Sequence, residues 1–271
     1  MQGLENKVMI VTGASSGIGA ALALAGLSHG MKVVMAARRM EPMEDLVSGA
    51  GFAPDSYLLV RADVGREADC EQLVRQAVES FGRLDVLINN AGISMRALFS
   101  DSSPEVLERI MQVNFWGAVY CTHFALPWLL KSGGSVVGIS SVAGFKGLPA
   151  RTGYSASKFA LQGFLESLRI ENRKTGLHVL IACPGFTASN IRRTALAGDG
   201  KAQGESPRDE GRMMTAETAA RHIMRAVKQR KTSLVLTRQG KLTLLLNKLF
   251  PKWVDKLVYK HMAGEPDSPF K

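Results

Sequence analysis

"KVMIVTGASSGIG", residues 7 to 19, joins a short apolar run to a turn with three glycines, and a helical pattern follows at once. The run Val8–Met9–Ile10–Val11 is short, β-branched and bounded by polar residues, which reads as a strand covered on both faces. Gly13, Gly17 and Gly19 suit, in that order, a tight turn, a close approach to a phosphate and close packing of the next helix. The helix N-terminus then presents N–H groups to an anion. Three glycines alone are a weak signal. Their position between a first strand and a first helix predicts a nucleotide-phosphate site, with Ser15, Ser16 and Ile18 completing the turn. A plain turn without a ligand remains the other reading at this point.

The same alternation continues outward from this stretch. "KVVMAAR" (32 to 38), "YLLVRAD" (57 to 63), "LDVLINNAG" (84 to 92), "GSVVGISS" (134 to 141) and "HVLIACPG" (178 to 185) read as further strands, and "SLVLT" (233 to 237) as a seventh. Amphipathic segments lie between them at about 17 to 29, 41 to 48, 67 to 81, 103 to 131 and 154 to 175. Near-continuous apolar strands separated by helices predict an α/β protein, a doubly wound parallel sheet of about seven strands with helices on both faces. No repeat and no Pro/Ser-rich linker divides the chain, so a single domain is expected over residues 1 to 240, with a C-terminal extension at 241 to 271. Residues 186 to 213 are polar and Gly-rich and follow a strand end, where long loops commonly form substrate lids.

Composition narrows the classes. The chain has 271 residues, 46% of them hydrophobic, enough to bury a substantial core. No secretory leader and no apolar stretch near membrane-spanning length is evident, so a cytoplasmic location is expected. Cys70, Cys121 and Cys183 are far apart and odd in number, which suggests buried reduced thiols. The histidines are scattered without ligand spacing, and Ser141 lacks the GxSxG elbow, so neither metal catalysis nor a serine hydrolase is expected. The net charge of +10 is not spread evenly: from Lys228 to His261 nine Lys and Arg residues face one acid, Asp255. The basicity belongs to the tail, and no nucleic-acid-binding module accompanies it.

At the end of the second strand, where an acid would hold the ribose hydroxyls of NAD, the chain has Arg38 and Arg39 instead. With no carboxylate to repel a 2′-phosphate and guanidinium groups to hold it, NADP(H) is the favoured cofactor; two solvated arginines opening a loop are the alternative. In "GYSASKFAL", residues 153 to 161, Tyr154 and Lys158 are four apart and so share one helix face. The pair alone does not separate a tuned acid from surface decoration.

Four motifs in order decide it: "TGASSGIG" (12 to 19), "NNAG" (89 to 92), the serine ending "VVGISS" (136 to 141) and "YSASK" (154 to 158). With "DV" at 63 to 64 and "PGFTAS" at 184 to 189, the chain resembles the short-chain dehydrogenase/reductase family over roughly residues 5 to 240. The resemblance implies a Rossmann fold and an NADP(H)-dependent oxidoreductase that interconverts ketones and secondary alcohols. It implies that Tyr154 is the general acid and base, Ser141 a hydrogen-bond donor to the substrate oxygen, and Lys158 a cation that favours the phenolate and holds the nicotinamide ribose. Asn114 would anchor a water connecting Lys158 to solvent. Asp63 and Val64 would lie at the adenine, Asn90, Ala91 and Gly92 along the ribose side, and Pro184, Gly185 and Thr187 at the nicotinamide or phosphate.

Three functions stay open on sequence: a reductase of hydrophobic, lipid- or steroid-like carbonyls, a 3-oxoacyl-[acyl-carrier-protein] reductase, and a non-enzymatic nucleotide-binding regulator. The family's habit implies a homodimer or homotetramer through the segments at 103 to 131 and 154 to 175. In the tail, Leu242, Leu245, Leu246, Leu249, Trp253, Leu257 and Val258 recur at helical spacing, while Lys248, Lys252, Lys256 and Lys260 repeat every four residues. Pro251 should end one short helix or begin the next. This extension resembles that of membrane-associated reductases related to 11β-hydroxysteroid dehydrogenase, in which apolar C-terminal helices border the substrate entrance. Packing on the protein's own body or dimer mate, and peripheral membrane contact through residues 241 to 262, are both open.

Overall fold

The computed structural model describes residues 3–206, 210–265 and 267–270, and the side chain of Arg212 lies outside that description. Seven parallel strands form one sheet: β1 (Val8–Thr12), β2 (Lys32–Ala37), β3 (Tyr57–Arg61), β4 (Val86–Asn89), β5 (Ser135–Ile139), β6 (His178–Cys183) and β7 (Ser233–Val235). Their order is β3-β2-β1-β4-β5-β6-β7, the doubly wound Rossmann arrangement expected from the sequence. The chain winds outward one way from β1 and then the other way from β4. A crevice therefore opens at the carboxyl ends between these two strands.

Alternation along β1 shows how the layers are built. Met9 and Val11 enter one core with α1 (Gly17–Ser28), α2 (Glu41–Ser48) and α7 (Ala216–Lys228). Val8 and Ile10 enter the other, with α3 (Glu67–Phe81), α5 (Gly117–Ser132) and α6 (Thr152–Glu171). These four side chains are essentially inaccessible, and each of this kind contributes about 1.5–3 kcal/mol when withdrawn from water.

The structure departs from the sequence reading in two places. The segment at 103 to 131 is not one helix: α4 (Pro104–Met111) passes through a π-turn at Gln112–Trp116 before α5 begins. The wide turn absorbs an extra residue and faces Asn114 inward, where its amide is bonded on both sides. Helix α7 was not anticipated. Its signals are Thr215, whose hydroxyl accepts from Thr218 N–H at 3.2 Å, and the helical spacing of Ala219, Ala220, Ile223, Met224 and Val227.

Residues 186 to 213 are the segment expected to form a substrate lid. Residues 207–209 lie outside the described residues, but the remainder is stitched down. Ala195 and Leu196 are buried, and Leu196 joins an apolar cluster with Met95, Ala97, Val106 and Ile110. Leu196 N–H donates to Ser94 O at 2.8 Å, and its carbonyl accepts from Arg96 N–H at 2.9 Å. Gly198 permits a close approach here: a Cβ on it would overlap the Asp101 carbonyl.

In the C-terminal extension, α8 (Arg238–Leu249) and α9 (Pro251–Ala263) meet at Phe250. Pro251 opens the second helix, where its missing N–H costs nothing.

Candidate active site

A cleft of about 530 Å³ lies across the carboxyl ends of β1, β2, β4, β5 and β6. At its floor, the first turn and the "NNAG" turn hold each other. Thr12 Oγ1 accepts from Asn90 N–H at 3.0 Å and Ala91 N–H at 3.1 Å, while Asn90 Nδ2 donates to Thr12 O at 2.8 Å. Gly13 has φ +66°, and a Cβ there would stand 2.8 Å from Ala91 Cα, so the crossing requires glycine. Gly19 faces the same constraint from the Gly13 carbonyl and lies behind the cleft wall. Ser16 precedes α1 in an extended conformation, and its side chain makes no capping bond to the helix. Ser15, Ser16, Gly17 and Ile18 face the cleft.

Beyond β2, Arg38 and Arg39 are exposed on the cleft rim, with no ion-pair partner among the described residues. Asp63 and Val64 line the cleft past β3. The Asp63 carboxylate accepts from Gly65 N–H at 3.0 Å, which fixes the turn beneath it.

The other end of the cleft collects Ser141, Tyr154 and Lys158. Ser141 follows β5 and accepts from Ala143 N–H at 3.1 Å. Lys158 is buried, donates to Ile139 O at 2.9 Å and lies 5.7 Å from the centre of the Tyr154 ring. Asn114 stands one layer back: its Oδ1 accepts from Ile93 N–H at 2.8 Å, and its Nδ2 donates to Ile93 O and to Ser157 Oγ, each at 2.9 Å. Asn90, Ala91 and Gly92 form one wall, and Pro184, Gly185 and Thr187 the opposite wall. Thr187 Oγ1 is buried with no hydrogen-bond partner among the described residues, an open polar atom where a ligand amide or phosphate would satisfy it.

The electrostatics correct one expectation. The lysine was expected to lower the pKa of the phenol. In the protein alone, burial dominates and raises the Tyr154 pKa, with the Ser141 hydrogen bond and the fields of Arg151 and Arg192 working the other way. Burial also lowers Lys158, to about 8, so the cation beside the phenol is itself weakened.

Sequence reasoning missed several lining residues, among them Arg109, Leu148, Arg151, Asn190 and Arg192. They sit on loops or on a helix rim where no period or motif marks them. Arg192 donates to Glu210 Oε1 at 2.8 Å and to Thr187 O at 2.7 Å, tying the far segment to the cleft wall. A second, apolar chamber of about 810 Å³ adjoins the cleft and shares Ser141, Leu148, Gly185 and Phe186 with it. Its outer wall is made by α8 and α9 through Leu246, Val254, Leu257, Val258 and Met262.

This arrangement is that of a dinucleotide-binding oxidoreductase, and comparison with known proteins agrees. A family model described as short chain dehydrogenase matches residues 7–199, and the chain belongs to that family, whose members are oxidoreductases of hydroxyl and keto groups. Within the family its likeness is to the 11β-hydroxysteroid dehydrogenase-like branch. It is 35% identical to 11-beta-hydroxysteroid dehydrogenase A of Arachis hypogaea, over 98% of this chain and 79% of that one. It is 34% identical to the dehydrogenase/reductase SDR family protein 7-like of Dictyostelium discoideum, over 96% of this chain and 83% of that one. Among solved structures, a short chain dehydrogenase/reductase from Burkholderia phymatum in complex with NAD superposes with a TM-score of 0.82. At 24% identity over 93% of this chain and 96% of that one, it attests the fold.

Proposed function

We propose that the chain is an NADP(H)-dependent oxidoreductase interconverting ketones and secondary alcohols on hydrophobic, lipid- or steroid-like substrates, with Tyr154 as general acid and base. The observation that supports this most is the junction of an apolar chamber of about 810 Å³ with Ser141, beside Tyr154 and Lys158. A substrate body in the chamber would bring its carbonyl to these hydroxyls. Arg151 and Arg192, the cations that act on Tyr154, are already engaged by Glu265 and Glu210, which suits an uncharged substrate.

A nicotinamide, when bound, supplies or accepts the hydride. The orphaned Thr187 hydroxyl and the cradle at Gly13 fit such a dinucleotide. The turn from Gly13 to Gly19 and the α1 N-terminus would hold its pyrophosphate, and Arg38 and Arg39 a 2′-phosphate. Asp63 and Val64 would border the adenine, Asn90, Ala91 and Gly92 the ribose side, and Pro184, Gly185 and Thr187 the nicotinamide end. Ser141 donates to the carbonyl oxygen and steadies its growing negative charge. Tyr154 passes its proton to that oxygen. Lys158 holds the ribose and, with Asn114 and a water anchored there, returns the proton from solvent.

The outer surfaces of α8 and α9 belong to the same reading. Leu242, Leu245, Leu249, Phe250 and Trp253 are each more than half exposed, and Lys248, Lys252, Lys256 and Lys260 are exposed among them. No helix among the described residues is long and apolar enough to cross a membrane. A basic, apolar pair of short helices suits resting on an anionic bilayer, with the chamber behind it admitting lipophilic ketones. The same basic face would suit an acidic carrier protein, the second reading. The deciding experiment is a screen of NADPH oxidation against ketones graded by chain length and ring number, with acetoacetyl carrier protein included. Turnover rising with apolar bulk supports the proposal; turnover of the carrier-bound substrate alone supports the other.

A further inference from the structure

Glu265 follows α9 and is 5% exposed, although a buried carboxylate is costly unless cations and hydrogen bonds compensate it. Its Oε2 accepts from Arg151 Nη2 at 3.0 Å and lies 3.7 Å from Arg96 Nε. The arginine side chains are themselves only 14% and 7% exposed.

The three come from different parts of the chain, and two of them, Arg151 and Glu265, line the site. Arg151 lines the cleft, immediately precedes α6 and stands three residues before Tyr154. Arg96 lies past the "NNAG" turn; its N–H donates to Leu196 O at 2.9 Å, and the next N–H, of Ala97, donates to Ala150 O at 3.1 Å. Glu265 lines the apolar chamber. A further ion pair, Lys146 with Asp255, ties α9 to the loop after β5.

We propose that Glu265 is a positioning residue: its carboxylate, clamped between Arg96 and Arg151, latches the α8–α9 cap over the apolar chamber and fixes the start of α6 that carries Tyr154. This rests on the ketone–alcohol reading above. One carboxylate then couples closure of the substrate chamber, to which the Lys146–Asp255 pair also contributes, to placement of the proton donor.

The clamp also has an electrostatic consequence. The ionisable groups facing Tyr154 are Lys158 on its own helix, the Cys183 thiol on β6, Arg151, and Arg192 with its partner Glu210. The Glu265 carboxylate offsets the Arg151 charge. Without it, the guanidinium favours the phenolate more strongly, so the protonated phenol needed for ketone reduction is lost at lower pH. A carboxylate that only pinned the cap would leave this limb of the profile unmoved.

The test uses the full chain with Glu265→Gln, Arg96→Met and the double variant. Three quantities are read: tryptic cleavage within α8–α9 by mass, NADPH affinity, and kcat and KM for an apolar ketone across pH. Glu265→Gln should be cleaved about tenfold faster and show a KM raised roughly tenfold, with NADPH affinity within about twofold of the parent. Its alkaline limb should move to lower pH. Arg96→Met should change cleavage and KM in the same direction by less, and should add nothing to them in the double variant, because there Arg96 acts through the carboxylate. Its alkaline limb should instead move to higher pH, since losing this cation leaves the carboxylate's charge less compensated beside Arg151. If Glu265→Gln does not fold, Arg96→Met carries the same readouts. Cleavage and pH profiles matching the parent would overturn the latch. If the parent reduces no ketone, the ketone–alcohol reading fails, and the cleavage rates still decide the latch.

Discussion

Lys158 is withdrawn from water with its ammonium bonded to the Ile139 carbonyl at 2.9 Å, and burial brings its pKa from 10.5 to about 8. The folded protein therefore releases this proton near pH 8, whereas the unfolded chain keeps it to about 10.5. Stability from this group is present above the unfolded value and is lost as pH falls towards 8. At neutral pH the charged lysine costs stability. Lys158→Met should raise the unfolding free energy of the cofactor-free protein by about 2 kcal/mol at pH 7, the relief of burial being partly offset by the unpaired Ile139 carbonyl. Denaturant titrations should show this advantage shrinking from pH 8 towards 10.5. NADPH binding and turnover should both fall in the same variant. A variant less stable than the parent at pH 7 would mean that burial does not strain the lysine.

The proposed preference for NADP(H) rests on two neighbouring side chains. With Arg38 and Arg39 open on the rim, NADPH should bind ahead of NADH by about 1–3 kcal/mol, the worth of charge-assisted hydrogen bonds. Arg38→Asp with Arg39 neutralised should reverse the order in binding titrations, and equal affinities in the parent would contradict the assignment. These two arginines, Tyr154 and Lys158 were legible from sequence because fixed spacings and strand ends mark them. The direction in which Tyr154 is shifted was not, because it depends first on burial and then on the fields of groups such as Cys183 and Arg192, which the fold brings from elsewhere.

Among the elements, periodicity recovered the strands to within a few residues, because each is a short apolar run with sharp polar ends. It joined α4 to α5 because a π-turn keeps the chain helical and leaves the apolar pattern almost in phase. The expectation of a lid at 186 to 213 came from a long polar, Gly-rich loop at a strand end; its backbone bonding to residues 94–103 was invisible to composition. Helices α8 and α9 were legible, including the break at Pro251. The membrane role proposed for them predicts sedimentation with phosphatidylserine vesicles at low salt and release as salt rises, each surface lysine contributing about 1 kcal/mol. Trp253→Ser with Lys248, Lys252, Lys256 and Lys260 changed to serine should stay in the supernatant. A parent chain that ignores anionic vesicles would return these helices to a purely internal role.

For the whole molecule, exposed apolar side chains also lie away from the tail. Trp116 is 43%, Phe159 47% and Ile170 69% exposed, on or beside the helices expected to form a dimer. Covering them in a second copy would remove that surface from water. Light scattering should therefore give a dimer or tetramer, and a monodisperse monomer at high concentration would contradict it. The central claim, that Tyr154 completes a reduction of apolar ketones by NADPH, is tested most directly by product mass. The parent and Tyr154→Phe would each be incubated with an apolar ketone and NADPH deuterated at the transferable position. The account predicts an alcohol carrying deuterium at its carbinol carbon from the parent, with little product from Tyr154→Phe although its NADPH affinity is nearly unchanged. Labelled alcohol formed equally well by both would show that another group is the acid.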